Sequence, residues 1–257
     1  MNALASSPAD EEPRRTLIRA FAEALPAAVE GADPEAVHQV RSSALRLSVA
    51  MELRAVHALR PDLAWLRGEL RRARDLDVAL ERDLPASLRE HWSAERAAEQ
   101  RRVCAAIRSP RVLGLAVGAE AALARLAARP APLERRLKRL QRRANLAQRT
   151  QEPEPLHSVR KGLRRVRLGL AEFGIKVRDA GGLVSELGAV GDARAFGELL
   201  AELPSGVLAT AEREHLADIA AREERLRARH ALSLVDARVH DLVRRARKSL
   251  RRVERAR

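Results

Sequence analysis

Two histidines, each followed three residues later by an arginine, are the residues of this sequence best placed to do chemistry. Val37-His38-Gln39-Val40-Arg41 recurs as Leu156-His157-Ser158-Val159-Arg160. An aspartate follows each copy, Asp75 at 37 residues after His38 and Asp192 at 35 residues after His157. On a helix, positions three apart are neighbours, so imidazole and guanidinium share a face. Both donate hydrogen bonds to anionic oxygen. Three roles are open to the histidines: donating to a phosphate or orienting the neighbouring arginine, ligating a metal, or packing with one satisfied hydrogen bond. Metal is the poorest of these, because no His-Glu-x-x-His pair and no cysteine cluster accompanies them.

The second copy opens a helix that sorts its residues by angle. At about 100° per residue, His157, Arg160, Lys161, Arg164 and Arg167 fall within roughly 120° of one another, with Arg165 at one edge. Val159, Leu163, Val166, Leu170, Phe173 and Val177 fall on the other side. A merely solvated face normally intersperses acids, since like charges three or four apart repel. This face carries none, which points to phosphate binding, with plain surface as the alternative. The first copy is poorer in charge. It keeps His38, Arg41 and, near the edge, Arg46, but Ser42, Leu45, Ser48 and Val49 stand where cations would continue.

The following helix shows the reverse asymmetry. Arg67, Arg71 and Arg74 share a stripe, whereas the second half has Val184, Gly188 and Gly191 at those places. Spacing therefore predicts a composite site: Arg67, Arg71 and Arg74 from one half and the His157–Arg167 face from the other. The competing reading is that these arginines make ordinary salt bridges with Glu69, Asp75 and Asp77. Asp75 and Asp192 are read as carboxylates that hold neighbouring arginines rather than as catalytic acids. Two further basic stripes exist. One comprises Arg135, Lys138, Arg139 and Arg142, opposite Leu133, Leu137 and Leu140. The other comprises Arg244, Arg247, Lys248, Arg251 and Arg255. Each either extends an anion track or is a solvated face.

The elements that position these residues are expected to be all helical. Ala, Leu, Arg and Glu dominate, only 2% of residues are aromatic, and no alternating β-branched run suggests a sheet. Proline and glycine divide the chain into helices at about 14–25, 34–58, 62–82, 87–108, 111–128, 132–149, 155–177, 182–202, 206–230 and 233–255. The join between halves falls at Arg129-Pro130-Ala131-Pro132. Short connections predict two antiparallel bundles. Residues 1–13, acidic and without an apolar stretch, read as a disordered tail rather than a secretory signal.

Charge narrows the partner. The net charge is +14, with 45 Arg to 4 Lys. Residues 1–130 carry 20 Arg against 18 acids, and residues 131–257 carry 29 Lys and Arg against 17 acids, nets of +2 and +12. A polyanion held mainly by the second half is expected. Arginine grips phosphate oxygens in pairs, as lysine cannot, although a GC-rich coding bias accounts equally well for the ratio. Cys104 stands alone, which excludes an intrachain disulfide. No run of 18 apolar residues is present, so no membrane partner is expected. There is no Walker loop, Glu-x-Glu-x-Lys strand motif, zinc spacing, Gly-x-Ser-x-Gly or aromatic platform for bases.

These repeated residues resemble the CHAD family, the conserved-histidine α-helical domain. The first-half match is Val37-His38-x-x-Arg41, Trp65-Leu66 and Leu70-x-x-x-Arg74-Asp75-Leu76-Asp77-Val78. The second-half match is Leu156-His157-x-x-Arg160-Lys161-x-x-Arg164-Arg165-Val166-Arg167 and Leu187-Gly188-x-x-x-Asp192-Ala193. The resemblance spans about residues 14–230. It implies two four-helix bundles related by a pseudo-two-fold, a basic central cavity or pore, and binding of inorganic polyphosphate, in some members on polyphosphate granules. It further implies one such domain over 14–257, with halves 14–130 and 131–257. The chain departs from the family at Ser42, Leu45 and Ser48, and at Leu168, where a tyrosine is usual. The expected protein is a cytoplasmic, non-catalytic polyphosphate-binding module without a cofactor, of undetermined oligomeric state. Non-specific nucleic-acid or nucleoid binding is the alternative, and an enzyme acting on phosphoanhydrides is a third class for which no metal-binding acid cluster or nucleophile is visible.

Overall fold

The computed structural model describes residues 8–124, 126–177 and 180–255, all in helices and connecting loops. The chain divides into two compact units, Met1–Arg129 and Pro130–Arg257. Unit one holds α1 (Pro8–Glu30), α2 (Pro34–Leu53), α3 (Arg60–Glu69), α4 (Arg71–Leu80), α5 (Ala86–Ile107) and α6 (Pro110–Ala124). Unit two holds α7 (Pro130–Thr150), α8 (Pro153–Ala171), α9 (Ala180–Ala201) and α10 (Thr210–Arg255).

In unit one the start of α2 is written in its first residues. Asp33 is extended and its carboxylate accepts from the Glu35 amide at 2.8 Å, with Pro34 in the first turn. The core is built from Phe21, Val37, Leu47, Met51, Leu63, Leu66, Leu70 and Val103, with α6 adding Val112, Leu115 and Leu123. Trp92 is fully enclosed. In unit two, α7 offers Leu133, Leu137 and Leu140 to Leu156, Val159, Leu163, Val166 and Leu170 of α8. Each such aliphatic contributes about 1.5–3 kcal/mol when fully buried. Gly162 and Gly169 let α8 come close to α7. A Cβ at Gly162 would lie 3.2 Å from Leu140 Cδ1, and one at Gly169 would lie 2.9 Å from Leu133 Cδ1.

Several boundaries differ from expectation. α1 begins at Pro8, so residues 8–13 of the expected tail are helical; residues 1–7 lie outside the described residues. It also runs through Pro26 to Glu30, where Gly31 turns with φ +71°. The stretch 62–82 is two helices, interrupted at Leu70. α2 stops at Leu53 and Ala55 takes φ +57°. α8 stops at Ala171, and Gly174 at φ +67° turns the chain, which leaves Phe173 and Val177 outside the helix. The stretches 206–230 and 233–255 are one helix of 46 residues. No proline or glycine interrupts it, and its buried stripe continues through Ala228, Ala231, Leu232 and Val235.

Candidate functional site

The basic face of α8 is present as a surface. The apolar side of the helix is held by the core, so the opposite residues reach outward. Lys161 and Arg167 are exposed, while His157, Arg160, Arg164 and Arg165 are half-buried. Residues 162 and 169, where α7 touches, lie about 140–160° around the helix from the centre of the basic group. The neighbour on the cationic side is α9. The Arg160 guanidinium lies over Gly191 of α9, in the space a side chain there would fill. Its Nη2 stands 3.8 Å from Asp192 Oδ1. Asp192 is thus beside an arginine, as expected for a structural carboxylate.

α9 contributes a cation that the repeat does not reveal. Arg194 pairs with Glu154, in the first turn of α8, and donates from Nε to Glu198 at 3.0 Å. This clamp ties the start of α8 to α9 and holds the Glu154 carboxyl below its usual range. It also occupies one of the two acids beside the basic face, the other being Asp192. A signal existed, since Arg194 and Glu198 are four apart on one helix. Its long-range partner Glu154 is set by the packing of α8 on α9.

His157 sits at the head of this face. Its Nδ1 is buried without a hydrogen-bond partner. Burial holds its pKa below the ordinary value of 6.5; the charges of Lys161, Arg160 and Arg194 act in the same direction, and Glu154 opposes them. The imidazole is therefore neutral at pH 7 in the free protein, among permanent cations.

The other stripes of unit two are placed separately. Arg135, Lys138, Arg139 and Arg142 of α7 are all exposed. Arg143, next to them, crosses to α8 and donates to the Ser158 carbonyl at 3.2 Å. Arg142 and Arg149 border α10 rather than the basic face of α8.

Unit one uses the equivalent residues differently. Arg41 Nη1 donates to the Arg67 carbonyl at 2.9 Å, in the last turn of α3. Helix ends leave such carbonyls without an intrahelical donor, and a cation there also complements the helix dipole. His38 is half-buried and Arg46 exposed. Arg71 pairs with Asp75 at 3.1 Å, the local salt bridge weighed above as the alternative to phosphate binding. Arg67 and Arg74 are half-buried. Asp77 is buried and accepts from Arg96 Nε at 2.6 Å. Its pKa is nevertheless raised, because desolvation outweighs Arg96. Leu45, which stands where the second copy has Arg164, and Val49, which stands where it has Leu168, are buried against neighbouring helices. An additional arginine, Arg54, is buried just after α2 and donates to the carbonyls of Ala50 and Leu126 at 2.9 and 3.1 Å.

Among the described residues no group of three or more His, Cys, Asp and Glu is arranged to hold a metal ion. No helix among them is long and apolar enough to cross a membrane.

Comparison with known proteins agrees with this architecture. Residues 15–174 match the CHAD domain family. The crystal structure of the CHAD domain from the plant Ricinus communis superposes with a TM-score of 0.73 at 22% identity, over 93% of each chain. PptA from Streptomyces chartreusis superposes with a TM-score of 0.67 at 20% identity, over 86% of this chain and 95% of its own. At those identities the likeness is one of fold. No curated protein matches the sequence.

Proposed function

We infer that this chain, which belongs to the CHAD domain family, is a non-catalytic module that binds inorganic polyphosphate. The observation that carries the reading is the α8 face. Along the helix it presents His157, Arg160, Lys161, Arg164 and Arg167 with no carboxylate among them; of the two acids beside the face, Glu154 is held by Arg194 and Asp192 stands 3.8 Å from Arg160. Guanidinium groups donate in pairs to phosphate oxygens. Polyphosphate offers only charge and acceptor oxygens, so a face of donors without aromatic rings suits it. The family's link to polyphosphate supports the same ligand. On this reading the protein gathers where polyphosphate does, on granules.

Competition tests the reading. Long-chain polyphosphate should displace duplex DNA from the protein with at least about tenfold preference at equal phosphate concentration and physiological salt, and its own affinity should fall as salt rises. Equal or tighter DNA binding overturns it in favour of a nucleic-acid protein.

A further inference from the structure

The helices of unit two form a ring. α7 packs on α8, α8 on α9, α9 on α10, and α10 back on α7, while α7 and α9 do not meet among the described residues. The seam between α8 and α9 and the seam between α10 and α7 are therefore opposite edges of one bundle. The first edge carries the basic face just assigned. The second carries a groove that this assignment does not use.

Two adjoining cavities of about 560 and 690 Å³ run along the α7/α10 edge and share His240. Arg142 and Arg149 border them from α7, and Arg244, Arg247 and Arg251 from α10. Two acids also line the groove. Asp236 lies 3.0 Å from His240, and Asp241 holds both Arg244 and Arg245. Arg142, Arg149, Arg247 and Arg251 have no carboxylate partner among the described residues. Arg142 and Arg149 are seven residues apart, about 10 Å along α7, and Arg247 and Arg251 about 6 Å along α10. The result is two rows of unmatched guanidinium groups flanking a trough.

Such a trough fits an extended, flexible chain of anions. The residues between the rows include the aliphatic and amide side chains Leu146, Val243 and Asn145, and the only ring among the described residues there is the single imidazole of His240, with no Phe, Tyr or Trp to stack successive bases. That favours polyphosphate over single-stranded nucleic acid. The groove does not prolong the α8 face, because the core and the α7–α8 contact at Gly162 and Gly169 lie between them.

We propose that the α7/α10 groove is a second polyphosphate site and that the protein holds two polyphosphate chains at once, one on each edge of unit two. The proposal rests on the polyphosphate reading above. It makes the protein a cross-link between chains rather than a simple coat.

A sandwich measurement tests it. Long-chain polyphosphate is fixed to beads, loaded with the protein, washed, and exposed to fluorescent soluble polyphosphate. The wild-type protein should retain the soluble chain. The variant with Arg142→Gln, Arg149→Gln, Arg247→Gln and Arg251→Gln should still load onto the beads within about twofold, while capturing at least about tenfold less soluble chain and showing a shallower salt dependence. Circular dichroism of the variant should match the wild type, since these side chains sit on the groove's rim. Capture equal to the wild type overturns the proposal, and would be the outcome if a protein oligomer bridged through the α8 face alone. Loss of bead loading in the variant also overturns it, since the α8 face should hold one chain unaided. Wild-type protein that loads but captures nothing refutes the second site and leaves the first standing. Wild-type protein that fails to load refutes the polyphosphate reading itself.

Discussion

Arg41 and Arg160 occupy the same place in two copies of one pattern. Arg41 in α2 donates to the carbonyl of Arg67, whereas Arg160 in α8 lies over Gly191 with Asp192 at 3.8 Å. The difference follows from what surrounds each helix. α2 buries twelve of its twenty residues, including Leu45 and Val49 on the side where α8 carries cations. It is covered by α1, α3, α4 and α6. A charged row there would be desolvated without partners, which is costly. α8 instead leaves that side open beside a helix with glycines at 188 and 191. The same repeat therefore serves packing in one unit and presents charge in the other.

The largest effect should come from removing the charge itself. Arg160→Gln, Arg164→Gln and Arg167→Gln together should weaken polyphosphate binding about thirtyfold or more, taking each lost charged contact as worth about 0.7–1 kcal/mol. Arg41→Gln with Arg46→Gln should weaken it less than about threefold, below the worth of one such contact, because Arg41 is taken up by the Arg67 carbonyl. Equilibrium titration of the two variants against one polyphosphate preparation makes the comparison. A more damaging first-half pair would break it.

Stability should order the same residues the other way. Arg41→Gln removes a charged donor from a helix-end carbonyl and should lower stability by about 1–2 kcal/mol. Arg160→Gln should leave the urea midpoint almost unchanged, because its neighbours are a glycine and a carboxylate that is itself solvated. A large loss of stability in the Arg160 variant would show that Arg160, like Arg41, is part of the scaffold.

A glycine pair sharpens the contrast. Gly188 has open space around its Cβ position, and Gly191 has Arg160 there. Both lie inside α9, where Gly→Ala ordinarily stabilises by about 0.5–1 kcal/mol. Gly188→Ala should show that gain and leave binding unaltered. Gly191→Ala should displace Arg160 and weaken binding by about two- to fivefold, the scale of one exposed charged contact. Equal binding in the two variants would mean that the position of Arg160 does not matter.

Much of this contrast was legible in the linear pattern and some was not. The helical class, the proline-marked breaks and the apolar face of α8 at Val159, Leu163, Val166 and Leu170 all follow from local composition and period, which act within a turn or two. The interruption at Leu70 and the passage of α1 through Pro26 depend on tertiary packing, which overrides weak local preferences, whereas the single α10 agrees with a stretch that no proline or glycine breaks. The site divides along the same line. The cationic face of α8 could be read from angle alone. That Leu45 is core, that Arg41 reaches across to Arg67, that Gly191 is the seat of Arg160, and that Arg194 captures Glu154 are long-range facts with no local signature. The opposite placement of the α7 stripe and the α8 face likewise appears only once the ring of helices is known.

The smallest expected effect concerns His157, and it distinguishes a ligand contact from a structural histidine. Burial and the neighbouring cations Lys161, Arg160 and Arg194 hold its pKa below 6.5 in the free protein. In the unfolded chain it titrates near that ordinary value, so below about pH 6.5 the unfolded state binds more protons and folding stability declines as the pH drops. Above that value both states are neutral and His157 contributes no pH dependence. A polyphosphate chain on the face would reverse the local field, raise the pKa of His157 and draw a proton on binding. Affinity should therefore rise as pH falls through the window between the bound and free pKa values, by about two- to threefold for one partially taken-up proton. Internal phosphates of a long chain stay ionised throughout, so long chains isolate the protein's contribution. His157→Gln should flatten this rise while retaining most of the affinity at pH 8, where Arg160 and Arg164 still carry charge. It should also remove the part of the acid-side loss of stability that His157 contributes, leaving the part due to carboxylates such as Glu154 and Asp241. A wild-type affinity that is flat between about pH 8 and about pH 5.5 would place His157 in the scaffold, closer to the structural role of Arg41 than to that of the Arg160 beside it.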